Sequence, residues 1–139
     1  MSEKKLEIFI ITPDADEASK YKFHGLADMV ILRCRTGDMG ILPGREACSA
    51  ILDEGALRVI GEDGMRKIAV LGGVFQFENN VLTVITQEAL LPGEIDIAAT
   101  EIQIQDYEAC LVAETSASQR DRLRVGWRRS KMLLDVATG

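Results

Sequence analysis

The sequence predicts a β-rich N-terminal domain followed by a pair of antiparallel helices, in a chain of 139 residues. From Leu6 to about residue 86, short apolar runs alternate with Gly, Asp, Asn and Pro, which is typical of a β-sandwich or barrel. Residues 94–137 contain one Gly and no Pro, and their apolar residues recur every three, four or seven positions, as on one face of a helix. This length suits one ordinary domain or two small ones.

Each predicted strand is an apolar run bounded by residues that favour turns. The runs are Leu6–Ile11, Met29–Cys34, 56–60, 65–70, 74–77 and Val81–Ile85. Asp63 and Gly64 lie between the third and fourth runs, and an Asp-Gly pair readily adopts the positive φ angles of a hairpin connection. Asn79 and Asn80 lie between the last two runs and tolerate the left-handed region. The sequence therefore predicts two β-hairpins in series.

Two helices are predicted after Gly93. On the first, the residues at helical spacing form one narrow apolar face: Ile95, Ala98, Ile102, Ala109, Val112 and Ala113. This helix ends near residues 115–118, whose hydroxyl groups can cap the next one. The second runs from about residue 119 to 137, and its packing side carries Leu123, Trp127, Ser130, Leu134 and Ala137. Gly126 costs about 1 kcal/mol relative to Ala, so we expect it to make the second helix easier to bend.

Charge is distributed unevenly along the chain. The formal net charge is −6, yet residues 120–139 contain six Lys or Arg against two Asp or Glu. Four of these cations, Arg120, Arg124, Arg128 and Lys131, fall within one quarter of the second predicted helix. Such a stripe is a solvated helix face, a surface that folds back on the acidic body of the chain, or a surface for an acidic partner. The acidic total argues against nucleic acid and anionic membranes as general partners, because both need a cationic surface.

No residue pattern predicts a catalytic centre or a metal site. The P-loop motif, the dinucleotide-binding fingerprint and the Gly-x-Ser-x-Gly elbow are absent from the sequence. His24 is the only histidine, and we expect it to be a surface or packing residue. Cys34, Cys48 and Cys110 have no spacing typical of metal ligands. We therefore expect a protein that is not an enzyme and holds no metal.

The sequence also predicts no direct membrane insertion. Its longest apolar stretch, residues 68–75, is well short of the ~20 residues that cross a bilayer. Residues 1–5 lead into a strand pattern, which argues against a signal peptide. We therefore expect a cytoplasmic protein that reaches a membrane only through a partner.

A glycine-rich stretch after the second predicted strand carries a family resemblance. It is Gly37-Asp38-Met39-Gly40-Ile41-Leu42-Pro43-Gly44-Arg45, followed by Leu52-Asp53-Glu54-Gly55-Ala56-Leu57-Arg58-Val59. This resembles the ε subunit of bacterial F-type ATP synthase, whose pattern is Gly-(Glu or Asp)-x-Gly-Ile-x-Pro-Gly-His and then Leu-x-x-Gly-x-(Leu or Ile)-x-(Ile or Val). Residues 70–77 and 81–84, with Ala89, resemble later strands of that family. The resemblance covers nearly the whole chain.

For residues 1–88, the resemblance implies a ten-stranded β-sandwich that binds the γ subunit and the c-ring. The subunit would perform no chemistry and would belong to the central stalk of a proton-translocating ATP synthase, peripheral on the cytoplasmic face of the bacterial cell membrane. The residues that would face the c-ring and γ are Asp38, Met39, Gly40, Ile41, Leu42, Pro43, Gly44 and Arg45. Two departures from the family occur here: Arg45 replaces the usual His, and Glu46-Ala47 replaces Ala-Pro.

For residues 89–139, the resemblance implies a regulatory α-helical hairpin that either lies compactly on the sandwich or extends along γ towards the α and β subunits, where it restrains ATP hydrolysis. The residues that would face an acidic segment of β are Arg120, Arg122, Arg124, Arg128 and Lys131.

Some family members bind regulatory ATP through (Ile or Leu)-Asp-x-x-Arg-Ala at the start of the first helix. Here Ala99 stands where the Arg would be, so a charge-assisted phosphate contact is missing. A degenerate ATP site would consist of Ile95, Asp96, Arg128 and Arg129, and we expect weak or absent binding. The alternative to a coupling subunit is a small nucleotide-sensing domain, and a nucleic-acid adaptor is a third, weaker hypothesis.

Overall fold

A computed structural model describes residues 5–13 and 21–139. Residues 1–4, which enter the expectation of no signal peptide, lie outside the described residues. The chain forms two units, Met1–Leu90 and Leu91–Gly139. The described part of the first unit holds eight strands: β1 Leu6–Ile11, β2 Phe23–Ala27, β3 Met29–Cys34, β4 Gly37–Ile41, β5 Cys48–Gly61, β6 Gly64–Glu78, β7 Val81–Ile85 and β8 Ala89–Leu90.

The strands form one continuous sheet in the order β2-β1-β7-β6-β5-β3-β4, with β8 also paired to β6. All pairings are antiparallel except that of β1 with β7. Both halves of the sheet contribute side chains to one core. The largest fully buried side chains are Phe75, Phe77, Leu6, Ile8, Ile10, Leu32, Ile41, Leu57, Ile68, Leu82, Val30 and Val84. The predicted order of a β-sandwich followed by two helices is confirmed.

The expected number of ten strands is wrong, because β5 and β6 form one long ribbon that serves both halves of the sandwich. They pair from Cys48 and Phe77 at one end to Gly61 and Gly64 at the other. The end of β6 pairs with β7, whereas its middle pairs with β8. Residues 71–73, which the sequence suggests as a break, lie inside β6. Each of these two strands therefore takes the place of two shorter strands, one in each half of the sandwich.

Gly73 explains how β6 continues through residues 71–73 without ending. Its φ is +123°, a region that side chains rarely adopt, yet it pairs with Leu52. A Cβ on Gly73 would lie 2.2 Å from the carbonyl oxygen of Ile85 on β7. Glycine at this position therefore permits both the backbone conformation and the close approach of β7.

Both predicted hairpins are confirmed. Gly64 has a φ of +106° in the β5–β6 turn, and Asn79 and Asn80 have φ values of 53° and 62° between β6 and β7. Gly64 at the first hairpin and Asn79 and Asn80 at the second therefore supply the positive φ angles of these short connections.

The second unit consists of a 3-10 turn, Pro92–Glu94, and two helices, α1 Ile97–Ala113 and α2 Ala117–Thr138. Asp96 caps α1, because its side chain accepts a hydrogen bond of 3.1 Å from the amide of Ala99. The predicted packing side of α2 is confirmed: Ser130 is buried, and Leu123, Trp127, Leu134 and Ala137 are half-buried.

The apolar face predicted for α1 is not the side that packs. Thr100 and Ile104 are buried and Tyr107 and Leu111 are half-buried, and these four share one face. The residues of the predicted face that lie in the helix, Ala98, Ile102, Ala109, Val112 and Ala113, are exposed. The helix is apolar on two sides, and the sequence pattern of small residues marks the outer one.

Gly126 has a different role from the one its helix propensity suggests. A Cβ at this position would lie 2.4 Å from Cζ and 2.5 Å from the hydroxyl oxygen of Tyr107. The missing side chain therefore leaves a space, called the seat below, that the Tyr107 ring occupies. It also lets α1 and α2 approach closely. Gly126 is therefore a position of tight helix packing, and not the point of easy bending that the sequence suggested.

Candidate functional site

The first candidate surface is the foot loop, residues 37–45, which comprises the edge strand β4 and the turn after it. Its residues differ in exposure: Ile41 is buried, Gly37, Met39, Gly40 and Pro43 are half-buried, and Asp38, Leu42, Gly44 and Arg45 are exposed. The loop therefore presents one carboxylate, one large apolar side chain and one cation to solvent, while Ile41 holds it to the core.

Hydrogen bonds fix the turn of the foot loop to the neighbouring β6–β7 connection. Gly44 has a φ of +85°, and its amide donates to Oδ1 of Asn80 over 2.6 Å. The carbonyl oxygen of Asn80 accepts from the amide of Glu7 over 2.8 Å. Because Asn80 bonds to both segments, the turn is held against β1 as well as β7.

Asp38 does not project freely from the foot loop. Its carboxylate lies 3.2 Å from Nη1 of Arg33 on the paired strand β3. The stem of Arg33 crosses Gly55, where an added Cβ would lie 2.6 Å from Cβ of Arg33. Gly55 thus leaves room for the cation that pairs with Asp38, and an exposed pair of this kind contributes only about 0 to 1 kcal/mol.

A second surface, not predicted from the sequence, is a row of apolar side chains across four adjacent strands. Strand register places the four next to one another in the order Ile11, Ile85, Val74 and Ile51. Ile85 is 52%, Val74 45% and Ile51 53% exposed. With strands ~4.8 Å apart, this apolar row spans about 14 Å. A contiguous, half-exposed apolar row of this kind is a candidate protein-binding surface.

Aromatic side chains lie on the same outer face of β1 as the apolar row. The Phe9 ring lies 4.6 Å from the ring of Tyr21 and 4.4 Å from that of His24, with which it stacks at an interplanar angle of 7°. His24 Nε2 lies 2.6 Å from Oε2 of Glu7. The structure thus makes His24 a packing residue of an exposed aromatic cluster, as expected.

The third surface is the basic side of α2. Arg124, Arg128 and Lys131 are exposed on this side and Arg120 is half-buried, whereas Arg122, which is also exposed, lies about 160° around the helix from Arg124. Arg124 lies 3.8 Å from Asp121, and the ammonium of Lys131 lies 5.4 Å from the centroid of the Trp127 ring. Arg120 is directed elsewhere, because its guanidinium donates to the carbonyl oxygens of Leu111 and Glu114 at the end of α1.

The four residues of the degenerate ATP site lie on different elements, and two of them already have interaction partners. Ile95 is half-buried after the 3-10 turn, and the Asp96 carboxylate accepts the α1 cap hydrogen bond. Arg128 and Arg129 are exposed on α2, and Arg129 has an interaction partner of its own. No Lys or Arg lies on α1 to meet a phosphate.

A shallow cleft of about 320 Å³ lies between β2 and the β5–β6 turn. The charges on its walls are balanced, because Lys5 and Arg66 stand against Glu62 and Asp63, and Lys5 lies 3.4 Å from Glu62. The cleft therefore offers no set of convergent groups of one sign for a charged small molecule.

Within residues 5–13 and 21–139, no group of three His, Cys, Asp or Glu side chains could hold a metal ion. Burial raises the pKa of the Cys34 thiol, with smaller contributions from Asp38 and Cys48. This thiol is therefore poorly suited to act as a nucleophile. Neither described helix has the length and apolar character that spanning a membrane requires.

Comparison with known proteins identifies the family. Residues 5–92 match the family model described as ATP synthase, Delta/Epsilon chain, beta-sandwich domain. The ATP synthase epsilon chain of Synechococcus elongatus is 32% identical over 136 residues, which cover 96% of each chain. That of Synechococcus sp. strain WH7803 is 37% identical over 100 residues, covering 72% of this chain and 70% of the relative. The chain belongs to the ATP synthase epsilon chain family.

Two solved structures share the fold. One chain of the Euglena gracilis mitochondrial ATP synthase, a structure of OSCP, F1 and c-ring, superimposes with a TM-score of 0.72 at 21% identity. The match covers 96% of this chain and 82% of that one. A chain of the Tetrahymena thermophila mitochondrial ATP synthase, central stalk and c-ring, gives a TM-score of 0.57 at 11% identity over 99% of both chains.

This chain keeps the glycines of the family pattern in the foot loop but not the residues that follow them. Arg45 stands in place of the usual His, and its Nη1 lies 3.4 Å from the carbonyl oxygen of Gly40. Its amide lies 3.3 Å from the carbonyl oxygen of Leu42. Arg45 therefore folds back across the foot loop, so the substitution keeps a polar side chain at the turn without opening it.

Proposed function

We propose that this chain is a non-catalytic coupling subunit in the central stalk of a proton-translocating rotary ATP synthase. Its N-terminal domain, residues 1–88, joins a γ subunit to the c-ring, and residues 89–139 restrain ATP hydrolysis. Membership of the epsilon chain family supports the proposal. The subunit is peripheral, on the cytoplasmic face of the bacterial membrane, and it reaches the membrane through the c-ring.

The apolar row carries the proposal for the sandwich. Ile85, Val74 and Ile51 are each about half exposed on a rigid sheet. Burying a large aliphatic side chain completely stabilises an interface by about 1.5–3 kcal/mol, so these three contribute together about 2–4 kcal/mol when a partner covers them. A flat apolar row on a close-packed sandwich suits a permanent contact with γ, because such an interior transmits torque with little deformation.

The foot loop is the proposed contact with the c-ring. It lies at the opposite edge of the sheet order from β2 and β1, and Asp38, Leu42 and Arg45 are exposed on it. These side chains can meet polar loops by hydrogen bonds and ion pairs. The loop can do this without rearranging, because Asn80 holds its turn in place.

The basic side of α2 is the proposed contact with an acidic segment of the β subunit. Exposed ion pairs contribute only about 0–1 kcal/mol each, so Arg124, Arg128 and Lys131 have to act together on this side of α2. Removing these charges one after another is expected to weaken the restraint on ATP hydrolysis in small steps.

A substitution in the apolar row tests the proposed contact with γ. Val74→Lys places a cation in the row, and Gln76→Lys places the same side chain two residues along β6, on the same exposed face but outside the row. We expect Val74→Lys to weaken co-purification with γ at least tenfold, which corresponds to about 1.4 kcal/mol, whereas Gln76→Lys leaves it unchanged. Failure of the unaltered chain to bind γ would refute the proposal.

Removal of residues 94–139 tests the regulatory role separately. The shortened chain is expected to assemble with γ and the c-ring, while ATP hydrolysis by the reconstituted complex rises. Unchanged hydrolysis, measured at equal subunit content, would show that the helices have a structural role only.

A further inference from the structure

The turn of the foot loop is not held by strand pairing. Residues 42–47, between β4 and β5, lie outside every strand that the structure describes, and Leu42, Gly44 and Arg45 are exposed there. The Arg45 amide lies 3.3 Å from the Leu42 carbonyl oxygen, a bond that closes the turn without tying it to the sheet. The exposed end of the foot loop therefore depends on a contact from outside the loop to hold one position.

That contact comes from the opposite half of the sandwich. In the sheet order, β4 and β7 are separated by β3, β5 and β6. Nevertheless, Oδ1 of Asn80, in the turn before β7, accepts a hydrogen bond of 2.6 Å from the Gly44 amide. The carbonyl oxygen of Asn80 accepts from the Glu7 amide on β1 over 2.8 Å. One residue thus joins the foot loop to the two strands that carry Ile11 and Ile85 of the apolar row.

The backbone of Asn80 is suited to this double contact. Its φ of 62° lies in the left-handed region, which Asn adopts more readily than most residues. Asn79, the preceding residue of the same turn, has a similar φ of 53°, but it is exposed and takes no part in either bond. The two asparagines therefore share a backbone conformation and differ in what their side chains hold.

A foot loop that is held in place before binding favours a tight contact with a partner. Ordering a loop at the moment of binding lowers affinity, because conformational freedom is lost then. The side chains that the foot loop exposes, Asp38, Leu42 and Arg45, stand on both sides of its turn. The position of the turn therefore decides whether they can meet one partner surface together.

We infer that Asn80 is a positioning residue, whose side chain fixes the turn of the foot loop against β1 and β7 so that the loop meets its partner already in place. For the identity of that partner, the c-ring, the inference rests on the proposed function. Asn80 acts through the Gly44 amide and not by touching the c-ring. Because β1 and β7 also carry part of the apolar row, this hydrogen bond links the two proposed contacts of the sandwich.

Amide exchange in the free, full-length chain tests the hydrogen bond. Asn80→Gly keeps the positive φ but removes the acceptor, and Asn79→Gly makes the same change one residue away as a matched control. We expect the Gly44 amide to exchange about 2 to 12 times faster in Asn80→Gly, the factor that corresponds to one neutral hydrogen bond, and at an unchanged rate in Asn79→Gly. Slow exchange in β7, which is paired on both sides, shows that each variant is folded.

Binding to the c-ring tests the consequence. The chain is combined with γ, and the affinity of this pair for isolated c-ring is measured for each variant. Asn80→Gly is expected to lower the affinity about 2- to 12-fold while γ is retained as before, and Asn79→Gly is expected to change neither. Asn80→Asp supplies a carboxylate oxygen in place of Oδ1, so it is expected to restore both the protection of the Gly44 amide and the affinity.

The possible outcomes separate the inference from the proposed function. Equal exchange of the Gly44 amide in the two glycine variants overturns the inference. So does an unchanged c-ring affinity for Asn80→Gly, an equal loss for Asn79→Gly, or no recovery with Asn80→Asp. If the unaltered chain with γ does not bind the c-ring, the proposed function fails, whereas the exchange of the Gly44 amide still decides whether Asn80 holds the turn.

Discussion

A comparison of two glycines that have the same φ separates two contributions to the free energy of unfolding: the cost of the backbone conformation and the cost of close packing. Gly73 and Gly37 both have a φ of +123°, but only Gly73 has a neighbour within 4 Å of an added Cβ. That neighbour is backbone, the carbonyl oxygen of Ile85 at 2.2 Å, which a rotamer change cannot remove. We therefore expect Gly73→Ala to destabilise the sandwich much more than Gly37→Ala.

The magnitude follows from these two terms. A non-glycine residue at positive φ costs about 1–2 kcal/mol, and both variants incur this cost. Forcing an extra carbon into a packed site adds about 1–3 kcal/mol for Gly73→Ala alone. Its free energy of unfolding should therefore fall by about 2–5 kcal/mol, against about 1–2 kcal/mol for Gly37→Ala.

The assay has to follow the sheet, because Trp127, the single tryptophan, lies on α2. Hydrogen exchange of peptides from β6 and β7 meets this need. The difference of about 1–3 kcal/mol between the variants corresponds to exchange about 5 to 150 times faster in Gly73→Ala than in Gly37→Ala. Equal exchange in the two variants would refute the close approach of β7 to Gly73.

Three further outcomes follow from the helices and the thiols. In a double-mutant cycle, Gly126→Ala is expected to lower the free energy of unfolding by about 1–3 kcal/mol, and by much less when Tyr107→Ala has removed the ring; additive effects would contradict the seat. A thiol reagent near pH 8 is expected to modify Cys110 first, Cys48 more slowly and Cys34 only on unfolding, since burial raises the Cys34 pKa and keeps the thiol protonated; peptide mass analysis that finds early modification of Cys34 would contradict its burial. Calorimetry with millimolar MgATP should give no binding heat, because α1 offers no cationic side chain, and a saturable signal would revive the nucleotide-sensing alternative.

The strands that the sequence predicts well are those whose apolar runs end at strong turn signals. Leu6–Ile11, Met29–Cys34 and Val81–Ile85 have the predicted bounds. The runs 65–70 and 74–77 were separated because glycine suggested a break, yet both belong to one strand. Gly72 and Gly73 adopt positive φ while the pairing continues on both sides, and only the register with β5 and β7 shows this.

The apolar row could have been found from a finer reading of the same strands. At each of its positions an apolar residue stands next to a core residue, as in Ile10-Ile11, Val84-Ile85 and Ile51-Leu52. Side chains alternate between the two faces of a strand, so one member of each pair has to point outward. Their alignment in one row, however, depends on long-range register that no local pattern contains.

The helix surfaces were predicted unequally, for a reason that lies in side-chain size. The packing side of α2 contains Leu and Trp among charged residues, so its periodicity is clear. On α1, alanines dominate the outer side, whereas the inner side mixes Thr100, Ile104 and Tyr107. Hydrophobic periodicity alone cannot show which of two apolar sides packs against the other helix. This holds here because the packing side contains Thr100, whose hydroxyl donates to the Asp96 carbonyl oxygen.

The parallel pairing of β1 with β7 constrains the order in which the chain can acquire its structure during synthesis. Glu7 is paired with Val81, so β1 lacks this neighbour until some seventy later residues have been made. The β5–β6 hairpin, by contrast, needs only residues close in sequence and can form early. Nascent chains that stop before residue 81 should therefore contain the ribbon while one side of their first strand is still unpaired, and these are the intermediates for which self-association is the main hazard.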